Sequence, residues 1–571
     1  MSTPFDFAFT PTRASIPAPG TVVRLNVPSS VPTNHTPLNP LSFLIRAASI
    51  YPDKVALVHP DTPYPVRYTF AQWAQRTLNL AYALLDVGVK PGDRVAVIAP
   101  NSPLIADAHQ GVLAARAIVT PINYRLTPPE ITYILAHSGA KVLLLDHQFA
   151  YLTDDFLKDP VNASKVTVII SHDSGREGCP YETFLNRGRV VSEGKGWLRL
   201  LVELEEQAPA TLCYTSGTTG RPKGVLSTLR GSYLAAVANA FESKLDRESV
   251  YLWVLPMFHA SGWTFPWSNT FAFTTQITLR TVSLEHIWYH LLHSGVSHYC
   301  GAPTVQISLI NAPEACALDP AREVKAIVAG SAPTAAMIAG LEKLGIGTVH
   351  VYGLTETYGP MTRNYPQPSW ARMSSEDRSK LMSRQGHGFA TADEVRVVEQ
   401  REDDALVDVP ADGKTLGEIV MRGNIVMKEY YNDPAATQAA FRGGYFRSGD
   451  LAVRHPDGSV AIQDRSKDLI ISGGENASSV AIEQELAAHP EVLEASVVAR
   501  AHPKWGERPM AFVVLRQNVE RNGFEDRLKS FARTRLPGFA CPEWVRVVDE
   551  LPKTSTGKIL KVELRKVAAK L

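Results

Sequence analysis

Three short stretches of this chain carry β-branched and aliphatic runs at their centres: RVAVIAP (Arg94 to Pro100), KVLLLDH (Lys141 to His147) and KVTVIISH (Lys165 to His172). A strand with one wet face alternates apolar and polar residues, so a run without alternation reads as a strand buried on both faces. Longer amphipathic stretches lie between such runs. WAQRTLNLAYALLDVG (Trp73 to Gly88) sets its apolar side chains at helical spacing and closes on a glycine. Strands that alternate with helices call for parallel sheets, because each crossover must run back over a sheet face. The expected class is α/β, with a large N-terminal domain of parallel-rich sheets and flanking helices.

Composition narrows the function. With 571 residues, 45% of them hydrophobic, two or more domains with large cores are expected. Fifty-eight basic against fifty-seven acidic residues leave a net charge of +1. That balance argues against a nucleic-acid partner or a polybasic membrane surface. The five cysteines (Cys179, Cys213, Cys300, Cys316, Cys541) form no CxxC pair and read as reduced thiols. No apolar run is long enough for a membrane span, and the first residues lack a secretory apolar core. Residues 1–40 carry eight prolines and read as an arm lying over the domain. RSGDLAVRHPDGSVAIQ reads as a hairpin turned at Asp457-Gly458. The pattern changes near Arg465 to Lys467, which divides the chain into 41–465 and a smaller α+β unit, 466–571. In that second unit an amphipathic helix is expected to carry Ile482, Leu486 and Val492.

The densest chemistry is YTSGTTGRPKGV, Tyr214 to Val225. Gly217, Gly220 and Gly224 let a backbone turn tightly and bring N–H groups to an anion. Thr215, Ser216, Thr218 and Thr219 offer hydroxyl donors, and Lys223 a mobile positive charge for outer phosphates. A helix is expected to start near Ser227 or Thr228. This is not a Walker loop, since Gly220 is followed by Arg221 and Pro222 rather than Lys and Ser/Thr. The later STGK, Ser555 to Lys558, fails as well, because Ile559 replaces the hydroxyl that would hold Mg²⁺.

Five segments in order carry a family resemblance: YTSGTTGRPKG (214–224), YGLTE (352–356), RSGD (447–450), DRSKDLIISGGEN (464–476) and PKTSTGK (552–558). With them the chain resembles the adenylate-forming superfamily of acyl-CoA synthetases, adenylation domains and luciferases. The resemblance implies ATP, Mg²⁺ and CoA as cofactors and co-substrates. It assigns Glu356 to Mg²⁺, Thr355 to the α-phosphate, and Tyr352, followed by Gly353, to stacking near the adenine. GSAP (Gly330, Ser331, Ala332, Pro333) matches a wall of the adenine and acyl pockets. Asp450 is implied as the ribose ligand and Arg465 as a second nucleotide contact. Lys558 is implied as the adenylation lysine, carried by a mobile C-terminal domain that rotates about Lys467. Rotation would bring Gly473 and Gly474 to the site, where they would admit the pantetheine arm of CoA.

PMFHASGW (256–263) carries His259 where amino-acid-activating relatives hold an aspartate, so an α-amino acid is not expected. By the same analogy His259 lies near the acyl carboxylate. Trp263, Trp267 and Gly301, Ala302 and Thr304 of the GAPT segment line the expected acyl tunnel, favouring short, medium, branched or aromatic acids. Ala481 stands where relatives often carry an acidic residue, whereas Glu483 keeps the second acidic position. His286, His290, His293 and His298 have partly metal-like spacing but no HExxH, and read as structural. The chain ends Ala569-Lys570-Leu571, a variant of the S-K-L address. That implies a peroxisomal import receptor as partner and a peroxisomal location, with the cytoplasm otherwise. Three readings follow, in order: an acyl-CoA ligase acting on a small carboxylic acid, an adenylating enzyme that loads a separate carrier protein, and a non-catalytic acyl or nucleotide sensor.

Overall fold

The computed structural model of the chain describes residues 5, 7–215, 221–319, 321–401, 403–465, 467–554 and 558–571. The apolar runs become neighbouring parallel strands. Arg94–Ile98 lies between Ile118–Pro121 and Val142–Asp146, and the latter pairs with Thr167–Ser171. They belong to a seven-stranded sheet that continues through Pro209–Tyr214, Gly224–Thr228 and Glu429–Tyr430. Val142–Asp146 is buried throughout, as its composition requires. Thr167–Ser171 departs from that expectation: it is the edge strand, has one neighbour, and is only half-buried until Ser171.

A second sheet has nine strands. Its parallel centre runs Ile346–Leu354, Val324–Val328, His298–Gly301, Val250–Trp253, Thr275–Thr278 and Val55–His59, with antiparallel strands added at both ends. The expected helix runs Phe70–Asp86. It begins three residues before Trp73 because Thr69 and Gln72 form a capping box, worth about 1 kcal/mol. Its inner face packs Leu78, Leu80, Ala81 and Leu84 into the largest core cluster. The proline-rich arm lies on this helix. Asn79 donates to the Ala14 carbonyl at 2.7 Å, and the buried Arg76 donates to Ser15 at 3.0 Å. Arg76 also pairs with Asp107 and Glu182, each at 2.8 Å, so its guanidinium is buried with its charge met on two sides.

A four-stranded antiparallel sheet holds Glu394–Val398, Gly417–Arg422, Phe446–Arg454 and Val460–Arg465, and includes the expected hairpin. Gly458 there has φ +84°, which a β-carbon would resist. The last sheet, formed by residues 470–547, has five strands, with the helices Ser479–Ala487, Phe524–Arg533 and Lys561–Ala568 nearby in sequence. Val492 is not on the expected helix. Ser479–Ala487 ends before His489-Pro490, and Val492 opens the strand Val492–His502. Among the described residues no helix is long and apolar enough to cross a membrane.

Candidate active site

Four adjacent parallel strands of the nine-stranded sheet end on one side. Past Leu354 come Thr355 and Glu356; past Val328, Gly330 to Pro333; past Gly301, Ala302 to Thr304; past Trp253, the segment with His259 and Trp263. Ligands of α/β sheets bind in the crevice outside such carboxyl ends. Four segments singled out in the sequence therefore share one rim.

Each is held there by local geometry. Ile346–Leu354 folds back sharply onto Gly359–Arg363. A β-carbon on Gly353 would stand 1.9 Å from the Gly359 carbonyl oxygen, so only glycine permits this approach. The tight return throws Thr355 and Glu356 out on a single 3₁₀ turn, closed by the Leu354 N–H donating to the Thr357 hydroxyl at 2.8 Å. Tyr430 donates its phenol to Glu356 Oε1 at 2.8 Å. Burial, followed by the Glu356 charge, pushes that phenol's pKa up. The ammonium of Lys223 lies 4.8 Å above the same ring. Glu356 and Lys223 thus meet through Tyr430, a residue that sequence reasoning missed. It arrives by the antiparallel pairing of Tyr430 with Val225, a long-range register with no local signature.

The glycine-rich segment joins two antiparallel strands, Pro209–Tyr214 and Gly224–Thr228. The helix Leu229–Ser243 follows the second strand, with Thr228 as its N-cap. The loop's stem is closed by the Thr215 N–H donating to the Lys223 carbonyl at 2.9 Å. Ser216, Gly217, Thr218, Thr219 and Gly220 lie outside the described residues, as do Ser466 and Ser555 to Gly557.

Asp450 and Arg465 face each other across neighbouring strands, with Arg465 Nε 3.1 Å from Asp450 Oδ1. Tyr352 donates its hydroxyl to Asp450 Oδ2 at 2.7 Å, which gives the ring expected to stack a second duty. Burial and the Asp450 charge push the Tyr352 pKa up. Each Asp450 oxygen retains a further lone pair that a ribose hydroxyl could use.

Lys558 reaches this place from the far end of the chain. Its loop is pinned by the Lys558 N–H donating to the Thr554 hydroxyl at 3.0 Å. Lys558 keeps an exposed surface, and its ammonium is close enough to feel the charges of Arg465, Asp450 and Lys467. Desolvation by the protein around it, and then the Arg465 charge, lower its pKa to about 8. His259 falls to about 4, through burial and then the charge of Lys558. A neutral imidazole therefore lies within reach of the charge of a weakly held ammonium.

After His259 the backbone turns left-handed. Ala260, Ser261, Gly262 and Trp263 have φ of 39°, 46°, 59° and 47°, and Thr264 follows at 68°. For each non-glycine residue this costs about 1–2 kcal/mol. Trp263 is itself buried in the core cluster that holds Trp253, Leu255, Met257 and Phe258, and Trp267 is fully buried among Phe43, Leu113, Cys213 and Tyr358. Trp267 departs from the expected tunnel wall: the structure uses it as core, with its N–H donating to the His109 carbonyl at 3.3 Å. Gly473 and Gly474 form the two-residue turn of the hairpin Ile470–Ser472/Glu475–Ala477, with φ of +63° and +89°. Gly473 lies against Trp505, to whose carbonyl its N–H donates at 2.8 Å, whereas the position of a Gly474 β-carbon is open. The four histidines of 286–298 separate to individual partners: His286 with the Thr281 carbonyl, His290 with Asp61, His298 with Ser243. His293 packs on Tyr289.

Residues 44–431 match the family model described as AMP-binding enzyme, and residues 481–558 match that of the AMP-binding enzyme C-terminal domain. A peroxisomal acetate/butyrate–CoA ligase of Arabidopsis thaliana is 39% identical over 95% of this chain and 96% of its own length. A peroxisomal benzoate–CoA ligase of the same plant is 37% identical over 94% of both chains. Among solved structures, ATP-bound MatB from Rhodopseudomonas palustris superposes with a TM-score of 0.79 at 23% identity, covering 93% of this chain and 99% of that one.

Proposed function

This chain belongs to the AMP-binding enzyme family, and from that premise we propose that it joins a short-chain or aromatic carboxylic acid to CoA, cleaving ATP to AMP and pyrophosphate. It is an AMP-forming acid–thiol ligase. One observation supports the site reading above the rest. Lys558, almost a hundred residues beyond Arg465 in the chain, comes close enough for its charge to act on Asp450, Arg465 and His259.

In the first half-reaction a carboxylate oxygen bonds to the ATP α-phosphorus as the bond to the bridging oxygen breaks and pyrophosphate leaves. Two anions must meet, so the barrier is largely electrostatic. Protonated Lys558 would lie between carboxylate and α-phosphate, Lys223 on the outer phosphates, and Thr355 on the α-phosphate. Asp450 would accept the ribose hydroxyls, with Arg465 paired to one of its oxygens. His259, uncharged at neutral pH, would donate a hydrogen bond to the acid without trapping it as an ion pair. The donor set fits Mg²⁺: a half-buried Glu356 that takes a phenol on one oxygen offers the other to a hard cation. Mg²⁺ held there would supply charge neutralisation on the phosphates.

In the second half-reaction the CoA sulfur bonds to the acyl carbon, the carbon–oxygen bond to AMP breaks, and the thiol proton passes to solvent. Lys558 has no task in that step. We assign residues 41–465 to the nucleotide and acid, residues 466–571 to the moving unit, and Lys467 to the hinge between them. Gly473, now against Trp505, and Gly474 would line the thiol's approach after rotation.

The experiment is AMP release from the purified protein with ATP and Mg²⁺ across aliphatic, branched and aromatic acids, with CoA present or withheld. CoA-dependent AMP release with butyrate or benzoate is expected. Pyrophosphate exchange without a CoA thioester would favour a carrier-loading enzyme instead, and ATP binding without turnover would favour a sensor. Relatives with peroxisomal names support import through Ala569-Lys570-Leu571, which is exposed beyond the last helix. A fluorescent fusion with a blocked C-terminus should turn cytosolic; a punctate pattern that persists would contradict this address.

A further inference from the structure

The strained turn after His259 is clamped at both ends by buried polar groups. Ser261, wholly buried, has its hydroxyl 2.6 Å from His109 Nε2. His109 lies on the buried helix Pro103–Ala114, and its Nδ1 is 2.7 Å from the Ile105 carbonyl one turn back. That carbonyl can only accept, so Nδ1 carries the proton and Nε2 is left as an acceptor for the Ser261 hydroxyl. Trp267 packs edge-on to the imidazole at 5.8 Å, which keeps the ring from turning. At the other end, Asn239 Nδ2 donates to the Trp263 carbonyl at 2.9 Å and to the Thr264 hydroxyl at 2.6 Å. Gly262 marks the closest approach, since a β-carbon there would meet the Trp253 ring at 3.0 Å.

Left-handed backbone persists in L-residues only where its surroundings over-determine it, and it gathers where geometry serves a site. A relaxed loop could fill this core equally well. What the left-handed turn adds is a fixed direction for His259 at its start and Trp263 near its end. We propose that His109 is a positioning residue for the acid substrate, holding the 260–264 turn through Ser261 so that the half-buried His259 is presented to the carboxylate in a fixed direction. This inference rests on the acid-site reading of His259 given above.

The test is steady-state kinetics with butyrate, or benzoate if that turns over faster, on four variants. Ser261→Ala keeps the β-carbon and removes the donor. His109→Phe keeps an aromatic ring, slightly larger, and removes the acceptor. His109→Gln restores an acceptor near the position of Nε2, and His259→Ala reports on the acid site itself. Ser261→Ala and His109→Phe should raise the KM for the acid about five- to tenfold, the scale of one buried hydrogen bond, with the KM for ATP within twofold. His109→Gln should stay near wild type. A purely structural role would lower Tm and move the KM values of acid and ATP together. That result, or an acid KM that does not move in either variant, or a His109→Gln no better than His109→Phe, overturns the proposal. Should Ser261→Ala fail to fold, the contrast between His109→Gln and His109→Phe decides. If His259→Ala leaves the acid KM unchanged, the acid-site reading falls; if it raises that KM while the others do not, this inference falls alone.

Discussion

Raising the pH should switch off the first half-reaction at an unusually low value for a lysine. Free lysine titrates near 10.4. Desolvation by the protein around it disfavours the ammonium of Lys558, Arg465 repels it, and Asp450 offsets only part, leaving a pKa of about 8 although the residue keeps an exposed surface. The charged form is the one that bridges two anions, so activity follows the protonated fraction. That fraction is about 90% at pH 7, half at pH 8 and about 10% at pH 9, a drop of roughly tenfold in two pH units. The assay is ATP–pyrophosphate exchange from pH 6.5 to 9.5, read as kcat/KM for ATP, which reports the free enzyme. Two variants fix the assignment. Lys558→Arg carries a guanidinium that does not deprotonate in this range, so its profile should be flat, although lower in height. Arg465→Ala removes a repelling charge and frees Asp450, and both changes raise the lysine pKa, so the falling limb should move to higher pH. A wild-type limb near pH 10, or a Lys558→Arg limb that still falls at pH 8, would refute the reasoning.

Other perturbations give sharper local readings. Tyr430→Phe removes the phenol from Glu356 but keeps the ring beneath Lys223, so the KM for Mg–ATP should rise about fivefold with the acid KM unchanged, and Tyr430→Ala should raise it further. Equal effects in both variants would remove the hydrogen bond from the explanation. Asp107→Ala leaves the buried Arg76 short of one partner and should cost about 3–5 kcal/mol, read as a lower Tm and new proteolytic cleavage in the arm over residues 12–15.

Much of the fold is legible because the apolar runs have only one way to be buried. RVAVIAP and KVLLLDH cannot sit anywhere but inside a covered parallel sheet. KVTVIISH looks the same in sequence yet lies at an edge, because strand order depends on which crossovers form. Val492 is separable from the helix in the sequence itself: Pro490 stands between it and the last helical turn, and proline stops a helix. At the site, Asp450 and Lys558 are readable as single residues through their segments. Their partners are not. Asp450 and Arg465 meet through strand register, Tyr352 reaches Asp450 from a different sheet, and Tyr430 meets Glu356 through a pairing some two hundred residues distant. The left-handed turn has only Gly262 to announce it, since Ala260, Ser261 and Trp263 each favour negative φ.

The division of labour between the two half-reactions rests on Lys558, and one variant tests it directly. Lys558→Ala is assayed for pyrophosphate exchange with acid and ATP, and separately for thioester formation from pre-formed acyl-adenylate and CoA, with Tm measured alongside. Exchange should fall at least a hundredfold while thioester formation stays within a few-fold of wild type. An equal loss of both half-reactions in a variant of unchanged Tm would contradict the assignment of Lys558 to adenylation alone.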